Sequence, residues 1–185
     1  RPLASQQSLF VARGDYSTAF SIDFDVAING GYESGSWNFD LDQPSHIGGD
    51  INADIRDVSG MDRDSWITVT GSSKVRLHGL QVSGGSMLGT RAAVRVETTG
   101  EFVLDGCKVI APQSEESLGV DVTAVAQQTW LLASHIEGGV ASRSKTHALR
   151  NSGSTLVDAC TLLAGDGPLS NAFADNTGDY SARGL

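Results

Sequence analysis

Repetition is what most limits how this chain can fold. The stretch KVRLHGLQVSGG, Lys74 to Gly85, returns in altered form as EFVLDGCKVIAP from Glu101, QTWLLASHIEGG from Gln128 and STLVDACTLLAG from Ser154. Superposed with steps of 27, 27 and 26 residues, the copies put Leu77, Leu104, Leu131 and Val157 in one column. Gly79, Gly106, Ala133 and Ala159 form a second column, and Leu80, Cys107, Ser134 and Cys160 a third. Val82, Val109, Ile136 and Leu162 form a fourth. Self-similarity at a fixed period of this length is the signature of a solenoid.

The repeated unit reads as strand. Each copy carries apolar residues two apart, interrupted by a small residue, and a helix would space them differently. A polar stretch and a second apolar run follow each copy: Ile67 to Val69, Val94 to Val96, Val120 to Val122, Ala148 to Leu149 and Ala172 to Phe173. Each turn therefore carries at least two strands. Stacked turns would place equivalent columns one strand spacing apart, about 4.8 Å, so that like side chains rest on like. The small residue at 79 and its equivalents suits a tight bend. A bend there also explains why Leu77 and Leu80, an odd distance apart, both read as buried.

Composition narrows the classes. Among 185 residues there are 22 Gly and 4 Pro, with 39% hydrophobic content, which suits one loop-rich all-β domain spanning residues 1–185. A net charge of -9 opposes nucleic-acid binding, since 13 scattered Lys and Arg supply no basic stripe. No apolar window has the length of a membrane span. No signal peptide is visible, and a start at Arg1 rather than Met is what removal of a leader would leave. Cys107 and Cys160 share a column two turns apart, roughly 9 to 10 Å by strand spacing, which is too far for a disulfide. Two free thiols are expected.

Along the chain, residues 1–8 form a polar N-terminal segment, and residues 9–64 hold the first coils. Phe20, Ile22, Phe24, Val26 and Ile28 alternate there as a half-buried strand does. Residues 33–64 read as one acidic loop excursion, longer than later turns need. Regular coils occupy 65–178, and a polar tail, 179–185, closes the chain.

The string GGY, followed by Trp37, Pro44 to Ile47, the triplet GDI at Gly49 to Ile51, and then LHGLQVSGG and LDGCKV, resembles right-handed parallel β-helix proteins of the pectate-lyase-like superfamily. The nearest flavour is bacterial secreted or surface proteins similar to polymorphic outer-membrane proteins. The resemblance covers roughly residues 9–176 and implies a right-handed parallel β-helix of about six to seven coils. It implies an extracellular or cell-surface location and is poor in information about activity, because the superfamily hosts lyases, hydrolases, adhesins and structural coils.

Candidate chemistry lies on outward positions. With Leu77 and Leu80 inward, Asp105, Lys108 and His135 are the residues expected to share one face as an acid and base patch, should the chain be an enzyme. Against hydrolase-like chemistry, Asp105 and Asp158 are separated by a turn that offers Leu132. Calcium has candidate ligands in Asp54, Asp57, Asp62 and Asp64 of the excursion, set against the reading of a solvated acidic loop. The histidines at 46, 78, 135 and 147 show no paired spacing for zinc. Trp37, Trp66 and Trp130 are candidates for binding carbohydrate. Trp130 shares an outward column with Arg76, Val103 and Leu156, and the resulting apolar strip points to a covering loop or another protein chain.

The expected function is a non-catalytic structural or adhesive β-helix. Its partners are copies of itself stacked end to end, since solenoid ends invite further stacking, or other cell-surface chains. The alternative is a polysaccharide-active lyase or glycoside hydrolase.

Overall fold

The apolar alternation produces strands, and the glycine-bearing punctuation between them produces corners. The computed structural model describes residues 7–40, 42–49, 54–56, 58–141, 145–175 and 178–183. The first turn comprises β1 (Gln7–Ala12), β2 (Asp15–Tyr16) and β3 (Phe20–Ile22). The second has β4 (Val26–Tyr32), β5 (Ser45–Gly48) and β6 (Ser65–Val69). The third has β7 (Val75–His78), β8 (Leu80–Ser83) and β9 (Ser86–Val96). The fourth has β10 (Glu101–Asp105), β11 (Lys108–Ile110) and β12 (Gln113–Val122). The fifth has β13 (Gln128–Leu132), β14 (His135–Glu137) and β15 (Lys145–Asn151). The sixth has β16 (Ser154–Asp158), β17 (Thr161–Leu163) and β18 (Leu169–Asp175), and β19 (Asp179–Arg183) follows. Every third strand joins the same sheet, giving three parallel sheets stacked as a β-solenoid of about six turns. No helix occurs among the described residues.

The repeat columns are the rungs. Leu104 lies opposite Leu77 on one side and Leu131 on the other, and Leu131 lies opposite Val157. Val109 pairs with Val82 and Ile136, and Ile136 with Leu162. The second apolar run forms the third sheet, where Ile67, Val94, Val120, Leu149 and Phe173 line up. Most of these side chains are wholly buried in one continuous core, and each stabilises the coil by roughly 1.5–3 kcal/mol relative to exposure. At the far end Phe173 and Tyr180 stack with ring centroids 4.2 Å apart and pack against the core.

The bend column behaves as its small residues require. Gly79, Gly106, Ala133 and Ala159 all have positive φ, at 63°, 57°, 44° and 53°. That left-handed geometry turns the chain from the first sheet to the second and lets Leu77 and Leu80 both point inward. The residue after the bend then needs a partner for its N–H. Cys107 N–H donates to Ser134 Oγ at 3.1 Å, and Ser134 N–H donates to Cys160 Sγ at 3.4 Å. Both cysteines are free and buried, and burial pushes the Cys107 thiol up to about 12.

The expected minimum of two strands per turn resolves as three, because short strands such as β11 and β14 close the cross-section. Two other expectations need correction. The acidic excursion is two loops, since β5 intervenes and pairs with β2 and β8. The segment taken as a tail contains β19, which continues the first sheet beyond β16. It does so because Tyr180 and Ala182 keep the inward alternation. Expectations for residues 1–6, 184 and 185 fall outside the described residues.

A substitution pair tests the bend. Gly106→Val forces a β-branched side chain into the left-handed region and should cost about 1–2 kcal/mol, whereas Ala133→Gly should be neutral or stabilise by up to about 1 kcal/mol. Urea titrations of the two variants read both values.

Candidate functional site

The three sheets present three different outer faces. On the first, two adjacent outward columns run across the rungs. One holds Asn29, His78, Asp105, Leu132 and Asp158, and the other holds Ala27, Arg76, Val103, Trp130 and Leu156. Arg76 donates to the Asp105 carboxylate, and His78 Nδ1 is hydrogen-bonded to the Asp105 backbone carbonyl at 3.0 Å, with the carboxylate 3.5 Å away. An ion-paired centre thus separates two aromatic regions.

The first region is built by the loop between β4 and β5. The chain leaves β4 at Tyr32, doubles back through a turn in which Trp37 N–H donates to the Glu33 carbonyl at 2.9 Å, and returns as Phe39, bridged antiparallel to Tyr32. Trp37 takes a φ of 56° to make that turn. Arg13 anchors the loop through Gln43 at 3.0 Å and Asp40 at 3.4 Å. The result is a cluster centred on Tyr32. Its ring meets Phe10 edge-on at 5.2 Å, Phe39 at 5.3 Å and Trp37 at 6.4 Å, and Phe39 stacks on His78 at 5.4 Å. Phe10 and Trp37 are each 55% exposed and Phe39 is 42% exposed.

The second region is Trp130, 37% exposed. Its ring stands between two hollows. One, of about 260 Å³, is lined by Lys74, Arg76, Glu101, Val103 and Leu132. The other, of about 310 Å³, is lined by Gln128, Ser154, Leu156, Asp179 and Ser181. From Phe10 in β1 to Trp130 in β13 is four rungs, about 19 Å by strand spacing.

The remaining candidates fall elsewhere. Trp66 does not reach the surface: it is 1% exposed, and its indole N–H donates to the Gly84 carbonyl at 2.8 Å. The corner beside Gly85 turns it inward, so it offers no ring face. Asp105 lies on the first sheet, while Lys108 and His135 are register partners on the second, beyond the bend at Gly106. The single shared face expected for the three is therefore divided between two. His135 Nε2 lies 3.6 Å from Glu137.

In the excursion, Asp54 and Asp62 both pair with Arg56, at 2.7 and 3.3 Å, and Asp64 pairs with Arg91 at 2.8 Å. These carboxylates neutralise arginines. Asp57 lies outside the described residues. Among the described residues no three His, Cys, Asp or Glu side chains are grouped to hold a metal ion. No helix of the described residues is long and apolar enough to cross a membrane. Sequence reasoning found Trp37 and Trp130 but missed Phe10, Tyr32, Phe39 and His78, whose common feature is visible only once the loop folds back on the sheet.

The third sheet carries charge turned to structure. Asp121, almost wholly buried, accepts two bonds of 2.8 Å from Arg150, with Arg95 at 3.9 Å on the other side. That pairing raises the Arg150 guanidinium above its usual range. His147, opposite Leu118, is 4% exposed, and its Nδ1 has no hydrogen-bond partner among the described residues.

No family model matches the sequence, and no curated protein matches it. What stands of the family resemblance is therefore the parallel β-solenoid itself.

Burial lowers the pKa of His147 from its ordinary 6.5, an effect that the charge of Glu116 opposes and those of Lys145 and Arg150 reinforce. The folded chain resists protonation there and the unfolded chain does not. The unfolded state thus binds more protons as pH falls below 6.5, and stability falls with it. Melting temperature should decline from about pH 6.5 toward pH 5, and His147→Gln should flatten that decline. Thermal melts followed by circular dichroism across the range check this.

Proposed function

We propose that this chain is an extracellular structural or adhesive β-solenoid that works by presenting the outer face of its first sheet to a partner. The observation that carries this reading is the gathering of exposed rings on one face, with Phe10, Trp37, Phe39 and Trp130 spread over a rigid ladder. Exposed apolar patches of this kind, rimmed by charged and polar groups, are typical of interaction sites, and aromatic side chains are enriched among the residues that dominate binding. Carbohydrate is the first ligand class to test, since a flat ring exposed beside hydrogen-bonding side chains suits a sugar face. Lys74, Arg76, Glu101 and Gln128 stand beside Trp130 in that way.

Polysaccharide cleavage is less well supported. The Asp105 carboxylate is committed to Arg76, and the side chains proposed to work with it are on another face. End-to-end association of copies accompanies the adhesive reading. Leu9 shares the inward column of Ile28 and Leu77 yet is 46% exposed, so the first rung leaves apolar surface for a further layer.

Retention on a glycan array should fall by at least about fivefold in Trp37→Ala or Trp130→Ala, the effect of removing an aromatic anchor worth about 1 kcal/mol. Acidic polysaccharides should not be shortened, with or without calcium. Turnover that disappears in Asp105→Ala or Lys108→Ala would replace the adhesive reading with the enzymatic one.

A further inference from the structure

A chain of hydrogen bonds on the second sheet has the form of a hydrolytic site. The rungs of that sheet stack Asp15 of β2 beside His46 of β5, and His46 beside Gln81 of β8. His46 Nδ1 lies 2.8 Å from Asp15 Oδ1, and His46 Nε2 lies 2.9 Å from Ser83 Oγ. With the imidazole proton on Nδ1, the ring donates to the carboxylate and accepts from the serine hydroxyl. Gln81 Nε2 donates to the same Ser83 Oγ at 3.3 Å. Nucleophile, base and orienting carboxylate therefore occur in the order that acyl-transfer chemistry uses.

The backbone makes room for this chain. Ser83 lies opposite Gly48, so the ring of His46 must reach diagonally past position 48. A Cβ on Gly48 would stand 2.9 Å from His46 Nε2 and would also collide with the Ser83 carbonyl. Gly48 has a φ of 153°, which further favours glycine there. Immediately beyond Ser83 a groove of about 590 Å³ opens along the corner between the second and third sheets. Gly49, Gly84, Ile110, Ala111, Glu137 and Val140 contribute to its walls. It begins at Gly84, the residue after Ser83, and combines small and apolar lining with the two carboxylates of Glu137 and Asp166, which suits a small neutral or cationic acyl group and not an anionic one.

We propose that Ser83, His46 and Asp15 form an ester-hydrolysing site, with Ser83 as nucleophile, His46 as general base and Asp15 as the positioning residue. Ser83 Oγ forms a bond to the ester carbonyl carbon as its proton passes to His46 Nε2. The Gln81 amide supplies a donor beside the oxygen that gains negative charge. Collapse breaks the bond to the alcohol, which leaves with the proton from Nε2 and deposits the acyl group on Ser83. Water then attacks the acyl-serine, giving its proton to His46, and collapse releases the carboxylic acid and restores the Ser83 hydroxyl. Asp15 holds the ring in the required tautomer throughout. Its side chain is 86% exposed, so solvent screens its charge and its contribution is smaller than that of His46. This activity goes beyond the adhesive reading and uses a different sheet.

The test uses the full chain and a fluorophosphonate probe, in which the Ser83 Oγ–P bond forms as P–F breaks and fluoride leaves. Peptide mass spectrometry locates the label, and p-nitrophenyl acetate reports ester turnover. Ser83 should be labelled selectively in the folded protein and not after denaturation in urea, and Ser83→Ala should reduce ester hydrolysis to the solution background. His46→Gln should slow labelling by at least about 10²-fold, the usual contribution of a general base. Asp15→Asn should slow the bond-forming step about tenfold without changing the probe concentration that gives half-maximal rate, and Asp15→Glu should restore much of the loss. Circular dichroism melts confirm that each variant is folded. Labelling spread evenly over exposed serines, labelling indifferent to His46→Gln, or hydrolysis retained in Ser83→Ala would overturn the proposal. Retention on glycans that depends on Trp37 and Trp130 would be unaffected by any of these outcomes.

Discussion

Parallel hydrogen bonding between successive turns is the constraint on which the remaining structure depends. A parallel ladder has no tight reversals, so the chain must travel round the whole cross-section before it meets itself again. Each corner therefore has to fall at the same place, while extra length is carried in loops outside the cross-section, as between Val26 and its partner Val75. Gly79, Gly106, Ala133 and Ala159 meet that need by entering the left-handed region at equivalent points. The cost appears one residue later, where the bend interrupts the ladder and an N–H is left to side chains. Ser134 Oγ and Cys160 Sγ accept those bonds, which accounts for small polar or polarisable residues at these two positions of a column that also holds Leu80.

Once the rungs are fixed, the outer faces are free to differ. The first sheet gathers aromatic rings around an Arg76–Asp105–His78 centre. The second carries a polar chain from Asp15 to Ser83. The third alternates charge, Arg95, Asp121 and Arg150, on successive rungs. That alternation follows from the geometry, because like charges held one strand spacing apart would repel and an interposed carboxylate turns the same spacing to advantage. A buried ion pair of this sort is costly to break and only modestly stabilising to make.

How much of this was legible in the sequence depends on whether a feature repeats. Leu77, Leu104 and Leu131 announced their column because stacking requires the same residue type at the same step. The short strands of the second sheet were harder to see, since three residues such as Lys108–Ile110 show too little alternation to separate from a loop. Trp66 read as a surface candidate because it interrupts a pattern in which Ile67 and Val69 already face inward. The corner there places consecutive residues inside. Asp179–Arg183 read as a tail because most of its residues are polar, though Tyr180 and Ala182 keep the inward column. The Asp15–His46–Ser83 chain was invisible for a different reason. Its members are 31 and 37 residues apart, neither Asp15 nor Ser83 repeats in kind along its column, and His46 recurs only as His135, three rungs on. Only the register across an irregular loop brings them together.

Because each strand is bonded to the strands one circuit away and to none beyond, no contact in the ladder requires distant parts of the chain to find one another first. Order can begin in any adjacent pair of circuits and spread outward, each new layer templated by the exposed edge of the last. The midsection, where Leu104, Val109 and Val120 are wholly buried, is the natural place for that growth to start. The aromatic loop and the hydroxyl-bearing strand would then assemble late, on a surface already rigid enough to aim them.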